Sequence, residues 1–233
     1  MDATNFGFDA GAVTNPAQSE VIRQRLYDYQ LYATAGVGQL TFFQSPIGQG
    51  ITSALGAVVG SPKTISDTNM QLAGQLPSGM AYKVESLEVL FSPGSVATAN
   101  TYTPAAISTF VAVAAVTQMA ALNDVNTIMH SGVLEFNILQ KNYLRETPLK
   151  AFPLKADLDV SAAAATNSAT TSEVTASYAK AAGRPYYLDL PITIKPAINF
   201  EVAIKWPGVV ATGSGFNGRM GVILDGLLMR ASQ

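Results

Sequence analysis

Cysteine is absent from the 233-residue chain, and histidine occurs once. Without cysteine there are no disulfides, no thiolate zinc site and no iron–sulfur ligation. One histidine disfavours any multi-histidine metal centre. Charge is scarce as well. Lys and Arg number 14 and Asp and Glu 16, together 13% of the chain, about half of the ~25% usual in soluble proteins. The formal net charge of -2 provides no electrostatic footprint for nucleic acid. What is abundant is apolar: 48% of residues are hydrophobic, too many for a disordered chain. A chain this apolar and this poor in charge is expected to cover much of its surface with copies of itself.

The charge deficit is concentrated. Tyr29–Pro62 and Val89–Asn123 are runs of 34 and 35 residues without a charged side chain. Both are expected to combine core with subunit contacts. Within the second, Ala105–Leu122 is long enough for a membrane span. It is Ala-rich, however, and is interrupted by Ser108, Thr109, Thr117 and Gln118 without flanking Lys or Arg, so a strand over Ser108–Val113 and a helix over Val116–Met129 are the better expectation. Met1–Asp9 has neither the basic nor the apolar region of a signal peptide.

Residues 15–35 carry helix signals. Asn15 can cap, Pro16 suits the first helical position and Gly36 suits the stop. Val21, Ile22, Leu26 and Tyr29 would then make one apolar stripe. Beyond Gly36 the texture is that of strands. Leu40–Phe43, Met70–Ala73, Tyr82–Phe91, Val133–Leu139, Asn142–Leu149, Ala151–Leu158, Tyr186–Ile194, Phe200–Trp206 and Gly221–Arg230 read as strands separated by Gly and Pro signals. Residues 161–182 are 17 of 22 Ala, Ser or Thr and read as a long exposed loop or hairpin. The expectation is an all-β sandwich or barrel over residues 37–233, preceded by an arm and helix over residues 1–36.

Chemistry-bearing motifs are weak. Gly213-Ser214-Gly215-Phe216-Asn217-Gly218 matches G-x-G-x-x-G, but a strand rather than a helix is expected after it, so it reads as a flexible turn. His130 lies beside Ser131 with Asp124 six residues earlier, at a helix-to-strand junction. A structural role is expected for it rather than a nucleophilic triad. Asp157 and Asp159 would share a strand face, whereas Glu85 and Glu88 would not. Neither pair has the companion acids that a hydrolase or a calcium site requires. No catalytic, cofactor-binding or metal-binding residue is assigned, and no cofactor is expected.

Three stretches resemble a known family: Leu190–Val202; Gly132–Phe136 with Lys141–Leu144 and Pro148-Leu149; and the closing strand Val222–Arg230. Together they are similar to the small jelly-roll major capsid proteins of tailless icosahedral bacteriophages, including those with an internal membrane. The resemblance implies a jelly-roll β-sandwich. By length and strand count a single roll is favoured over a compact double roll. It further implies a non-enzymatic virion protein that self-assembles, as trimers or larger capsomers, into a shell in the host cytoplasm. Expected partners are copies of itself, other capsid proteins such as a vertex protein, and an internal lipid membrane near the N-terminal helix. No sequence-specific nucleic-acid contact is implied. The alternative is a β-sandwich binding module, such as a spike or a receptor- or carbohydrate-binding protein, using Tyr102, Tyr178, Tyr186, Tyr187 or Trp206.

Overall fold

The computed structural model describes residues 19–52, 59–92, 96–98, 101–103, 123–155, 157–168, 171–181, 183–215 and 217–231. Among them are β1 (Ser19–Tyr32), β2 (Gln39–Phe42), β3 (Gly50–Thr52), β4 (Val59–Pro62), β5 (Met80–Ser92), β6 (Val96–Thr98) and β7 (Thr101–Thr103). A helix, α1, occupies residues 123–131. Then follow β8 (Val133–Ile138), β9 (Lys141–Pro148), β10 (Asp157–Ser168), β11 (Thr171–Ala181), β12 (Tyr186–Ile194), β13 (Phe200–Lys205) and β14 (Gly218–Ala231).

Eight strands make two four-stranded antiparallel sheets, ordered β1-β14-β5-β12 and β2-β13-β8-β9. The pairings are nested in the sequence. The first of these eight strands pairs with the last, β1 with β14. The second pairs with the seventh, β2 with β13. The third pairs with the sixth, β5 with β12, and the fourth with the fifth, β8 with β9. The ladders β14–β5 and β13–β8 join these pairs into sheets. Three two-stranded ribbons, β3–β4, β6–β7 and β10–β11, lie in the connections.

Between the sheets sits one hydrophobic core, as in a β-sandwich. Leu87, Val89 and Phe91 of β5, Ile192 and Ile194 of β12 and Val222 and Leu224 of β14 meet Phe42, Leu134, Phe136, Phe200, Val202 and Ile204 of the other sheet. Every one of these side chains is buried, each contributing about 1.5–3 kcal/mol of hydrophobic stabilisation. Alternation along β5 and β13 is therefore what the sequence pattern requires of strands with one face on a core, whereas β14 is buried nearly throughout.

Several expectations need correction. Residues 19–32 form β1, an edge strand paired along its length with β14, and not the helix expected over residues 15–35. This places the sandwich's first strand before residue 37. The period-2 pattern was concealed because Asp28 occupies an inward position, fully buried. Its partners are internal: Lys63 Nζ at 2.6 Å and Phe43 N at 2.7 Å. Met70–Ala73 is no strand either. It is a turn held by an isolated bridge between Leu72 and Gln75, and Gly74 takes φ +63° there.

Ala151–Leu158 is largely irregular: a 3-10 turn over Leu149–Ala151 leads to β10. Of residues 161–182, 161–168 and 171–181 belong to a hairpin, β10–β11, which forms a two-stranded sheet of its own. The mid-chain helix is present over residues 123–131. The expected strand Ser108–Val113, all of Ala105–Leu122 and residues 1–18 lie outside the described residues. No helix among the described residues is long and apolar enough to cross a membrane.

Candidate functional site

At one end of the sandwich, three connections are knitted together. Thr34 N donates to Asn217 Oδ1 at 2.9 Å, Trp206 Nε1 to the Ile128 carbonyl at 3.1 Å and the Tyr32 hydroxyl to the Val210 carbonyl at 2.5 Å. The buried Asp124 carboxylate accepts from Gly213 N at 2.6 Å and Ser214 N at 3.2 Å, and from the Ser214 hydroxyl at 2.5 Å. The G-x-G-x-x-G loop is thus a backbone nest for an anion, and the anion is a carboxylate of the same chain. β14 begins at Gly218 directly after it, so the helix that a dinucleotide pyrophosphate needs is missing. His130 is exposed in the last turn of α1. Asp124, turned into the glycine loop, does not join it and Ser131 in a triad. Ser131 Oγ donates instead to the Thr127 carbonyl at 2.7 Å.

The densest charge cluster lies on the outer face of the first sheet. Arg25, Asp225 and Ser86 stand in one row across β1, β14 and β5. One residue on, the ladder slips: Gly226 faces Val84, leaving Glu85 as a β-bulge. Regular alternation would put Glu85 and Glu88 on opposite faces; the bulge brings both to the same one. A Cβ on Gly226 would stand 1.9 Å from the Lys83 carbonyl oxygen, so the bulge demands glycine there.

Arg23 then bridges Glu85 at 3.3 Å and Asp225 at 3.2 Å. Arg25 lies 3.7 Å from both Glu88 and Asp225. From the connection after β9, Lys155 closes the cluster. Its backbone N donates to Glu88 Oε2 at 2.9 Å, and its Nζ contacts Asp225 Oδ2 directly.

Asp225 and Glu88 are only 1% and 2% exposed, beneath arginines that are about half exposed. Three acids and three bases leave the cluster neutral. Its hydrogen bonding is incomplete: none reaches Ser86 Oγ, Glu88 Oε1 or Asp225 Oδ1. Burial, and then the Arg25 and Arg23 guanidiniums, hold the Lys155 ammonium below its ordinary range. A basic group with a lowered pKa against a buried carboxylate is an arrangement for proton transfer.

The sequence alone gave no reason to pair Lys155 with Asp225. The available signal was an aspartate in the apolar run Val222–Met229, since a charge there must find partners on folding.

The aromatic candidates are dispersed. Trp206 is 6% exposed and packs edge-on to Tyr32 at 5.2 Å. Tyr186 packs on Phe152 at 4.8 Å. Tyr187 is 48% exposed, with Arg184 5.9 Å from its ring. The side chains of Tyr102, Tyr178, Asp157 and Asp159 lie outside the described ones. Among the described residues no group of three or more His, Asp or Glu is placed to hold a metal ion. Compared with family models, curated proteins and solved structures, the chain matches none.

Proposed function

We propose that the sandwich is a single jelly roll and that the chain is a structural virion protein, assembling without catalysis into an icosahedral shell. The observation that carries this reading is the nested pairing: first strand with last, second with seventh, third with sixth, fourth with fifth. Eight strands paired this way are one long hairpin rolled into two sheets, the jelly-roll arrangement that capsid and lectin domains share. The eight sheet strands among the described residues make up one such roll.

Charge supports the capsid side of that choice. The first uncharged run covers the end of β1, β2 and the β3–β4 ribbon, and the second the end of β5 and the β6–β7 ribbon, so that both combine core residues with surface connections. Subunits of a shell bury such surface against one another, as obligate interfaces do. In this reading the partners are further copies of the chain, with a separate vertex protein where the lattice closes, in a virion assembled in the host cytoplasm. Residues 1–18 contain no Lys or Arg, so genome phosphates are neutralised elsewhere or kept apart by lipid. The half-exposed Tyr187 favours the second reading, a β-sandwich binding module.

Light scattering after size exclusion, with electron microscopy of the same fractions, tests the proposal. Trimers, larger capsomers or closed particles are expected. A monomer at micromolar concentration that binds a glycan would overturn it in favour of the module.

A further inference from the structure

We propose that Lys155 and Asp225 condense spontaneously to an isopeptide bond, tying the root of the β10–β11 hairpin to the centre of β14. The inference rests on the outer-face cluster and is independent of the capsid reading.

The geometry supplies each component. Lys155 Nζ touches Asp225 Oδ2, so nucleophile and electrophile are already together, a placement worth an effective concentration on the order of 10⁵ M or more. Asp225 is 1% exposed, and no hydrogen bond reaches its Oδ1. Glu88, 2% exposed, is held by the backbone N–H of Lys155 itself, and its Oε1 also has no hydrogen bond. Arg23 Nε stands 3.2 Å from Asp225 Oδ1, where a developing oxyanion would need a donor. The downward shift of the Lys155 pKa through burial and the two guanidiniums favours the free amine.

The reaction balances without a co-reactant. The Lys155 ammonium passes one proton to Asp225 Oδ2, giving amine and carboxylic acid. The nitrogen lone pair attacks Asp225 Cγ, and the carbonyl electrons move onto Oδ1 beside Arg23. Glu88 takes a second proton from the nitrogen and delivers it to Oδ2. The Cγ–Oδ2 bond breaks, Oδ2 leaves as water, and the Oδ1 electrons restore the carbonyl. Ammonium and carboxylate become amide and water, with no redox change and no change in net charge.

Intact mass spectrometry of the folded full-length chain, with peptide mapping, tests this. The expected mass is about 18 Da below that of the sequence, one water lost, with a cross-linked peptide pair containing Lys155 and Asp225. Lys155→Arg should show the full mass, and Glu88→Gln should form the link far more slowly. A folded native chain that keeps its full mass after prolonged incubation would overturn the proposal. So would a lost water mapped to other residues, or one still lost in the Lys155→Arg chain. Cross-linking of Glu88→Gln at the native rate would overturn the proton route.

Discussion

Asp28 and Lys63, the two charged residues that bracket the first uncharged run, meet at 2.6 Å with both side chains 0% exposed. The 34 residues between them are thereby drawn into a loop closed inside the protein. The same carboxylate receives the N–H of Phe43, which follows β2 in the left-handed region at φ 68°. A bulky residue holds that conformation only where surroundings fix it. The pair therefore locks β1, the end of β2 and the segment after β4 to one another.

Removing either partner strands a buried charge. Lys63→Met is expected to cost about 3–5 kcal/mol in urea unfolding, and the double variant Asp28→Asn/Lys63→Met less than the sum of the single ones. Burial pushes the Asp28 carboxyl above its ordinary pKa, although Lys63 pulls it down. A carboxyl raised in the folded state stabilises most below its unfolded pKa of 3.8, and that contribution is lost as pH rises through the folded value. Without Lys63 the folded value rises further. The stability gap between native and Lys63→Met chains should therefore narrow as pH falls. A gap that widens on acidification would contradict the assignment.

This pair also explains what was legible in the sequence. Strands with apolar inward positions, such as Tyr82–Phe91 and Phe200–Trp206, declared themselves by alternation. β1 did not, because its inward face carries Asp28, and because Asn15, Pro16 and Gly36 imitate helix punctuation. The outer-face cluster was hidden for a related reason. Glu85 and Glu88 converge only through a bulge set by Gly226, 141 positions from Glu85, and no local pattern encodes that slip. The nest around Asp124 was half visible: its glycines were apparent, and its anion was not.

Asp124→Ala removes the acceptor for Gly213 N, Ser214 N and Ser214 Oγ. The expected loss is about 1.5–3 kcal/mol, as for hydrogen bonds to a charged group. Hydrogen exchange at the Gly213 and Ser214 amides should accelerate, while exchange in β13 should change little. Asp124→Asn keeps one acceptor and should lose less. Unchanged protection of both amides in Asp124→Ala would count against the nest.

Alkaline titration should report the burial of Tyr32 and Tyr82. Burial pushes the Tyr32 hydroxyl up to about 12 and raises Tyr82 as well. Both hydroxyls donate to backbone carbonyls, Tyr32 to Val210 and Tyr82 to Leu224. A phenol raised in the folded state contributes fully below the unfolded value near 10 and loses that contribution as pH climbs through the folded value. Tyr32 and Tyr82 should ionise late, accompanied by unfolding. Tyr32→Phe should cost about 0.5–1.5 kcal/mol at neutral pH and remove one late-titrating group. Ionisation of Tyr32 near pH 10 without loss of structure would refute this.

Two glycines of β14 should respond differently to the same added methyl group. At Gly221 the Cβ would meet the Tyr29 ring at 2.2 Å, and a ring at the sheet surface can turn aside. The cost of Gly221→Ala should fall within the overpacking range of about 1–3 kcal/mol. At Gly226 the obstruction is backbone, the Lys83 carbonyl oxygen at 1.9 Å and the Glu85 amide nitrogen at 3.2 Å. Neither can move without breaking the β5–β14 ladder. Gly226→Ala should therefore abolish folding, or shift the register so that Glu85 leaves the arginine cluster. Thermal unfolding of both variants, with exchange protection across β5, reads the difference. Equal and mild destabilisation would show that the bulge is not anchored by glycine.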